Sequence, residues 1–345
     1  MMVIFIRADG GNFIGLGHVM RMLVLAKELS SSHKVFFLCR DSSSDKEKYR
    51  SGIEKIIENN FIVITISEEN VIGDILNLQE QYRAKLLITD SYEVNEEYFN
   101  ILASHFKYTG YVDDTNKIKM NVSFIINQNF NAEYMDYSRN INFGTKLFLG
   151  TKYCMIREEF RNLRLENKMC KEKVTDVLLT LGGMDKDQNT LKILRKIKDT
   201  YSEYIHVVIG MAFDYDLERE LIEISKINSN IKLYKNPIMS ELMKKCDIAI
   251  SACGSTLYEL CSMRIPTIGV VVADNQEIIA KQMSENGIII GGKWINTYEN
   301  SEIRELLNYL IIKGDVRKGM ISKQMNLVNI NGVTLLKEEI EKMCI

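Results

Sequence analysis

The chain lacks long apolar runs and an excess of positive charge. No apolar stretch approaches the roughly 20 residues of a membrane-spanning helix, and the first apolar run, Met2 to Arg7, is too short for a secretory signal. The formal net charge is -2, so no basic block is available to neutralise the phosphates of a nucleic acid. These absences predict a cytoplasmic protein with no membrane span and no nucleic-acid partner.

Cysteine, histidine and proline are scarce or scattered. The seven cysteines are odd in number and never occur as C-x-x-C, which fits neither a zinc knuckle nor a disulfide framework. We interpret most of them as small buried apolar residues. The four histidines form no H-x-x-x-H pair, and the only prolines are Pro237 and Pro266. The sequence therefore predicts no metal site and no cofactor.

The composition is that of a globular protein large enough for more than one core. Apolar residues make up 46% and charged residues 26% of the 345 residues. A chain of this length exceeds what one hydrophobic core usually spans, so we expect two domains. The sequence leaves the oligomeric state open, with a monomer as one of the alternatives.

Short β-branched and aromatic runs alternate with longer segments of helical period. The first such unit pairs the run Met2–Arg7 with the helix-like segment His18–Leu29. Further predicted strands cover residues 34–39, 61–66, 85–90, 108–114, 175–183, 206–210, 231–235, 247–252, 266–272 and 287–291. Continuous apolar strands of this kind indicate parallel sheets covered on both faces. The predicted fold class is α/β, with two Rossmann-like domains.

A charged stretch without a strand pattern, residues 157–172, separates the two halves. We interpret it as a linker between an N-terminal domain of residues 1–156 and a C-terminal domain of residues 173–345. The last helical segment, residues 333–343, has two possible positions: it caps the second domain or crosses back to the first. The pattern does not decide between them, and the predicted C-terminal domain includes this segment.

The loop after the first predicted strand, Arg7–Arg21, contains the first candidate site. Gly15 and Gly17 allow the backbone to turn tightly and approach a ligand before a helix begins at His18. Backbone N–H groups at a helix start disfavour an imidazolium, so His18 is expected to stay neutral and able to accept a proton from water. Arg21 follows on the same helix face and could hold an anion or a carboxylate. The alternative is that the glycines only form a turn and His18 satisfies backbone groups.

A second candidate, Ser251–Leu260, follows a predicted buried strand at a helix start. The amides of Gly254, Ser255 and Thr256 can bind the oxygens of a diphosphate without a lysine. Glu259, one turn further, could accept hydrogen bonds from ribose hydroxyls. The alternative is a capping box formed by the T-x-x-E pattern, which needs no ligand.

Three weaker candidate loops end other predicted strands. They are Leu181–Asp185 (L-G-G-M-D), Ala273–Gln276 (A-D-N-Q) and Thr89–Tyr92 (T-D-S-Y). Each has a structural alternative, because Asp274 could be an N-cap, Asp90 a turn residue, and Gly182–Gly183 a close packing of helix on strand. Asp113 and Asp114 suggest a carboxylate pair, but we favour turn or capping roles for them.

Taken together, these motifs resemble one family in their order and spacing. They are R-x-D-x5-G-x-G-H-x-x-R, the D-S-Y loop, V-D-D, L-G-G-x-D, G-S-T-L-Y-E-L and A-D-N-Q. The family is the UDP-2,4-diacetamido-2,4,6-trideoxy-β-L-altropyranose hydrolases of pseudaminic acid biosynthesis, described in spore-forming bacteria as spore-coat polysaccharide biosynthesis proteins. The resemblance covers about residues 2–330 and is most specific over residues 7–21.

The resemblance implies a B-type glycosyltransferase arrangement, with the sugar facing the first domain and UDP held chiefly by the second. His18 would activate water for attack on the anomeric carbon, releasing UDP and the free sugar with inversion. Asn275 and Tyr92 would hold the sugar or aid the attack, and Glu259 would contact the ribose. The remaining residues expected to bind substrate are Arg7, Asp9, Gly15, Gly17, Arg21, Gly183, Gly254, Ser255, Thr256 and Gln276.

Two positions depart from the family pattern. Cys253 stands where a second glycine is expected in the phosphate turn, which is compatible with a cradle only at negative φ. Met184 stands where a small polar residue often follows the paired glycines. Two other functions stay open, namely a glycosyltransferase that uses a UDP-sugar donor and a nucleotide-sugar binding protein without catalysis.

Overall fold

The computed structural model describes residues 1–11, 14–163, 170–200 and 203–344. Asn12 and Phe13 of the first candidate loop, and residues 164–169 of the predicted linker, lie outside the described residues. The chain forms two compact units, one of Met1–Ile156 with Asn331–Ile345 and one of Arg157–Ile330. Each unit contains a parallel sheet with helices, so the predicted α/β class with two Rossmann-like domains is confirmed.

The first unit is built on a seven-stranded parallel sheet of order β3-β2-β1-β4-β5-β6-β7. Its strands are β1 (Val3–Ala8), β2 (Lys34–Asp41), β3 (Ile62–Ser67), β4 (Leu86–Asp90), β5 (Tyr108–Val112), β6 (Phe124–Asn127) and β7 (Lys146–Leu149). The helices between them are α1 (Gly17–Ser30), α2 (Arg50–Glu58), α3 (Val71–Tyr82) and α4 (Glu96–His105). Strands β4 and β6 are buried along their whole length, as expected for a sheet covered on both faces.

The second unit is built on a six-stranded parallel sheet of order β10-β9-β8-β11-β12-β13. Its strands are β8 (Asp176–Thr180), β9 (Tyr204–Ile209), β10 (Ile231–Lys235), β11 (Ile248–Ala252), β12 (Thr267–Val271) and β13 (Ile290–Trp294). Its helices are α5 (Glu158–Arg161), α6 (Asn189–Ile197), α7 (Tyr215–Ile227), α8 (Met239–Lys245), α9 (Ser255–Ser262), α10 (Glu277–Glu285), α11 (Glu302–Ile312) and α12 (Gly314–Gln324).

The last helix, α13 (Gly332–Cys344), belongs to the first unit. The boundaries drawn from the sequence put it in the second domain, and the structure corrects this. Val333, Leu336 and Ile340 form a fully buried stripe within the apolar core of the first unit. At the start of the helix, a Cβ added to Gly332 would lie 2.7 Å from the backbone of Cys154, so glycine permits the close approach.

Within the ranges that the structure describes, no helix combines the length and the apolar character needed to cross a membrane.

Candidate functional site

The loop between β1 and α1 forms a tight turn that ends directly at the helix. Gly11 and Gly15 exchange backbone hydrogen bonds of 3.1 and 2.9 Å, and Gly15 has a φ of +77°. Gly17 is the first residue of α1, and His18 lies in its first turn. A Cβ added to Gly15 or Gly17 would meet no atom within 4 Å, so one side of the turn is open.

His18 is paired with a carboxylate at the end of a neighbouring strand. Its Nδ1 lies 2.6 Å from Oδ1 of Asp90, which is fully buried. Strands β1 and β4 are adjacent, and Asp90 pairs in register with Ala8, the last residue of β1 before the first candidate loop turns. Because an ionised carboxylate can only accept hydrogen bonds, the tautomer of a neutral imidazole that fits this contact has its proton on Nδ1 and leaves Nε2 as the acceptor. None of the described residues forms a hydrogen bond with Nε2, and His18 is 9% exposed.

Arg21 connects Asp90 to a second carboxylate. Its Nε and Nη2 donate to the two oxygens of Asp90 at 2.5 and 2.6 Å, and its Nη1 donates to both oxygens of Asp114 at 3.0 and 2.9 Å. Burial opposes ionisation of Asp90, but the charges and hydrogen bonds of Arg21 and His18 outweigh it and hold the pKa of this carboxyl well below its usual range. Arg21 therefore fixes Asp90 as an anion beside the imidazole.

Tyr92 is the fifth member of this polar cluster, after His18, Asp90, Arg21 and Asp114. Its Oη donates to Oδ2 of Asp114 at 2.5 Å, and its ring makes a T-shaped contact with the ring of His18, with centroids 4.8 Å apart. Nδ2 of Asn129 donates to the other oxygen of Asp114 at 2.8 Å. Burial and the nearby charge of Asp114 raise the pKa of Tyr92 well above its usual value, so the phenol stays a hydrogen-bond donor. Tyr92 is nevertheless 45% exposed and accessible to a ligand.

Asp113 and Asp114 have different roles, although both follow β5. Asp113 accepts hydrogen bonds from the amides of Thr115 and Asn116 and from Tyr137, so its predicted turn role is confirmed. Asp114 instead belongs to the cluster around Arg21, which the turn interpretation missed.

Arg7 and Asp9 lie in a separate buried ion cluster. Nη2 of Arg7 donates to Asp9 at 3.1 Å, and Arg40 donates to the same carboxylate from its backbone N and its Nε, each at 2.8 Å. Arg40 also pairs with Glu93. Arg7 is only 1% exposed. Both residues support the base of the β1–α1 loop, and their contact with substrate stays a prediction.

In the second unit, the turn between β11 and α9 presents backbone amides. Gly254 is the N-cap of α9, and its helix start has no side-chain cap, so the capping box of Thr256 and Glu259 does not form. The amides of Ser255 and Thr256 make no backbone hydrogen bond to any residue in the described ranges. Cys253 does not have a positive φ, which meets the condition for a phosphate cradle there.

Gln276 lies beside this turn. Its Oε1 accepts from the amide of Val272 at 3.1 Å, which makes Nε2 the donor end of the side chain. A Cβ added to Gly254 would lie 3.6 Å from that Nε2. Asn275 is exposed on the same short 3-10 helix, Asp274–Gln276. Asp274 is not an N-cap, because Ala273 precedes the 3-10 helix and Gln276 precedes α10.

The paired glycines after β8 leave open space. Gly182 has a φ of +103°, and a Cβ added to it or to Gly183 would meet no atom within 4 Å. The alternative of a helix packed closely on these glycines is therefore wrong. Asp185, the last residue of the motif, accepts hydrogen bonds from the amides of Asn189 and Thr190, the first two residues of α6, at 2.8 and 2.6 Å.

Glu259 is buried and paired with a residue that the sequence did not single out. Nε of Arg157 donates to its Oε1 at 2.6 Å, and Nη2 donates to its Oε2 at 2.8 Å. Glu259 is 7% exposed. The predicted ribose carboxylate therefore has a fixed orientation before any ligand binds.

The structure thus groups the candidates by unit. His18, Arg21 and Tyr92 lie together in the first unit, whereas Gly183, Gly254, Ser255, Thr256, Glu259, Asn275 and Gln276 belong to the second. Sequence reasoning missed the roles of Asp90, Asp114 and Arg157. Both aspartates stand in the D-S-Y and V-D-D motifs, so their position at strand ends was the available signal. In the part of the chain that the structure describes, no group of three or more His, Cys, Asp or Glu residues is arranged to hold a metal ion.

No family model matches the chain, but individual relatives do. It is 30% identical over 281 residues to an uncharacterized Methanocaldococcus jannaschii protein, covering 77% of this chain and 55% of that protein. It is 26% identical to the Campylobacter jejuni UDP-2,4-diacetamido-2,4,6-trideoxy-beta-L-altropyranose hydrolase, covering 85% of this chain and 100% of that enzyme. The Bacillus subtilis spore coat polysaccharide biosynthesis protein SpsG is 24% identical, with coverage of 81% and 80%. The chain spans about half the length of the first of these relatives.

Solved structures show the same fold at low identity. MurG of Acinetobacter baumannii has a TM-score of 0.68 at 12% identity and covers 99% of this chain and 100% of its own. The UDP-GlcNAc 2-epimerase of Neisseria meningitidis has a TM-score of 0.60 at 12% identity, with coverage of 100% and 99%. Two sequence relatives that are matched over most of their own lengths, the C. jejuni hydrolase and SpsG, carry the names of the family that the motifs resemble.

Proposed function

We propose that the chain hydrolyses a UDP-2,4-diacetamido-2,4,6-trideoxyhexose to UDP and the free sugar, with inversion, in pseudaminic acid biosynthesis. The observation that carries this proposal is the pairing of His18 with Asp90, which leaves Nε2 as the acceptor nitrogen of a neutral ring. The name of the C. jejuni relative supports the substrate class.

In the proposed reaction, a water molecule attacks the anomeric carbon and gives a proton to Nε2 of His18. The new C–O bond forms as the bond from that carbon to the β-phosphate oxygen breaks, and UDP leaves with the electron pair. Attack from the face opposite the leaving group inverts the anomeric centre. A positioned general base contributes about 10² to 10⁴ in rate.

The cluster around His18 is suited to accept this proton. Asp90 and Asp114 are carboxylates and Arg21 is a guanidinium, so the surroundings of a neutral imidazole carry one net negative charge. Arg21 lies 3.4 Å from Nδ1 and by itself disfavours the imidazolium, but the two carboxylates outnumber it. Protonation of His18 in this step brings the summed charge of the four side chains to zero.

The second unit would hold the nucleotide. The amides of Gly254, Ser255 and Thr256 would bind the diphosphate with Nε2 of Gln276, helped by a helix dipole worth about 0.3–1 kcal/mol per charge. Glu259 would accept the ribose hydroxyls. The open Cβ sides of Gly15, Gly17 and Gly183 would let ligand approach the backbone, while Tyr92 and Asn275 would contact the sugar.

Two alternatives are separated by one experiment. A solved structure named as a glycosyltransferase, from Rickettsia africae, shares the fold at a TM-score of 0.64. A transferase would need a sugar or lipid acceptor in place of water. A binding protein without catalysis would release no UDP. We expect the purified full chain to release UDP from UDP-2,4-diacetamido-2,4,6-trideoxy-β-L-altropyranose without an acceptor and with a chelator present, and to incorporate ¹⁸O from labelled water into the sugar.

His18→Asn should lose turnover by about 10²-fold or more while UDP still binds. The matched control is His105→Asn, because His105 is an exposed histidine on α4 of the same unit. Release that requires a second sugar would favour the transferase, and normal turnover of His18→Asn would reject His18 as the base.

A further inference from the structure

Arg157 and Glu159 form a polar bridge from the start of the second unit to helices α8 and α9. Arg157 binds both oxygens of Glu259 on α9, and its Nη1 lies 2.7 Å from Oε1 of Glu159. The other oxygen of Glu159 accepts from the amide of Ser240 on α8 at 3.1 Å. The guanidinium also lies 5.1 Å from the centroid of the Phe160 ring. The segment at the start of the second unit thereby connects the helices that follow β10 and β11.

The bridge leaves Glu259 with unused acceptor capacity. A carboxylate offers about four lone-pair sites, and Arg157 occupies one on each oxygen. One acceptor site on each oxygen remains, which matches the two vicinal hydroxyls of a ribose. The guanidinium also offsets part of the repulsion that Glu259 would exert on a diphosphate bound one helical turn away, although it shares its charge with Glu159.

We propose that Arg157 is a positioning residue that fixes the carboxylate of Glu259, so that the second unit selects a ribonucleoside diphosphate over its 2′-deoxy counterpart. This inference rests on the proposed function, because it assumes that the β11–α9 turn holds the nucleotide. Burial opposes the charge of Arg157, but its bonds to Glu259 and the charges of Glu259 and Glu159 raise its pKa above the usual value. The guanidinium therefore stays charged in the bridge.

The test is calorimetric titration of the full chain with UDP and with 2′-deoxy-UDP. A hydrogen bond from a hydroxyl to a carboxylate predicts a preference of the wild type for UDP of about 10- to 100-fold. In Arg157→Met the preference should fall to that of Glu259→Ala, within about threefold of unity. The double variant should show no further loss of preference, because both changes remove the same contact. A merely structural role for Arg157 would lower both affinities and leave their ratio intact.

Two further variants keep the test decisive. Arg219→Met removes an exposed arginine that pairs with Asp216 in the same unit. This variant should keep the wild-type ratio of the affinities for UDP and 2′-deoxy-UDP. Arg157→Lys keeps the charge but cannot form the bidentate contact with Glu259, so the preference for UDP over 2′-deoxy-UDP should fall at least threefold.

The outcomes distinguish this inference from the proposed function. If the wild type binds UDP and 2′-deoxy-UDP equally, or if both Arg157 variants keep its ratio, the positioning role is overturned while hydrolysis stands. If the wild type binds no UDP, the proposed function is overturned and the inference falls with it.

Discussion

Replacing Asp90 by asparagine should remove most of the activity while leaving substrate binding intact. Asp90 accepts three hydrogen bonds, from Nδ1 of His18 and from Nε and Nη2 of Arg21. Asparagine has one acceptor oxygen and an NH2 group that must face a donor of either residue. If the NH2 group faces the imidazole, Nδ1 becomes an acceptor and the proton moves to Nε2, where it blocks general base catalysis.

The expected loss in kcat follows from the rate enhancement that a general base contributes. We expect kcat for UDP release to fall by about 10²- to 10⁴-fold, the full contribution of a general base. KM should change by less than about threefold, because Asp90 is fully buried beneath His18 and offers no surface to the sugar. Breaking a buried charge pair costs about 3–5 kcal/mol, so the free energy of unfolding must be measured in urea alongside the kinetics.

The assay combines steady-state UDP release with ¹⁵N NMR of labelled histidine. In the wild type the spectrum should show the proton of neutral His18 on Nδ1, and in Asp90→Asn a shift toward Nε2. The control is Asp136→Asn, since Asp136 is an exposed aspartate of the same unit. A folded Asp90→Asn enzyme with wild-type kcat, or a wild-type His18 protonated on Nε2, would refute the reasoning.

Three further predictions concern the same structure. Tyr92→Phe removes the donor to Asp114, and we expect kcat for UDP release to fall about 10-fold with the fold intact by circular dichroism; unchanged kinetics would contradict the role of this hydroxyl. The pKa of Asp90 lies below its unfolded value of about 3.9, so its contribution to the free energy of unfolding is complete above that pH and is lost as the pH falls through the folded pKa. Urea unfolding from pH 7 down to about pH 2 should therefore be less pH-dependent in Asp90→Asn, and equal slopes would argue against the pairing. Leu336→Ala on α13 should lower the free energy of unfolding by about 2–5 kcal/mol, and a loss below about 1 kcal/mol would show that the helix adds little to the core.

The central strands of both sheets were predictable because they are continuous apolar runs. Strands β4 and β11 coincide with predicted runs, and burial on both faces is what produces such a pattern. The short strands β6 and β7 were not predicted, since each has only four residues. In β7 two of those residues are exposed, so the apolar pattern is too brief to distinguish the strand from a loop.

The candidate site was predictable as a set of loops but not as a set of contacts. The glycine turn before His18 and the helix start at Ser255 follow from local rules for turns and helix ends. The partner of His18 is 72 residues away, because the sheet order brings β4 beside β1. The same limit applies to Glu259, whose local pattern indicated a capping box and whose actual partner is 102 residues away.

The position of α13 makes the second unit an insertion within the first. The polypeptide leaves the first unit after Ile156 and re-enters it at Asn331. The backbone therefore passes between the two units twice, and not once. A fragment ending at residue 156 would lack the three buried side chains of α13 and would expose the apolar surface that they cover. We therefore expect the first unit to be expressible alone only when residues 331–345 are fused back to it through a short flexible linker.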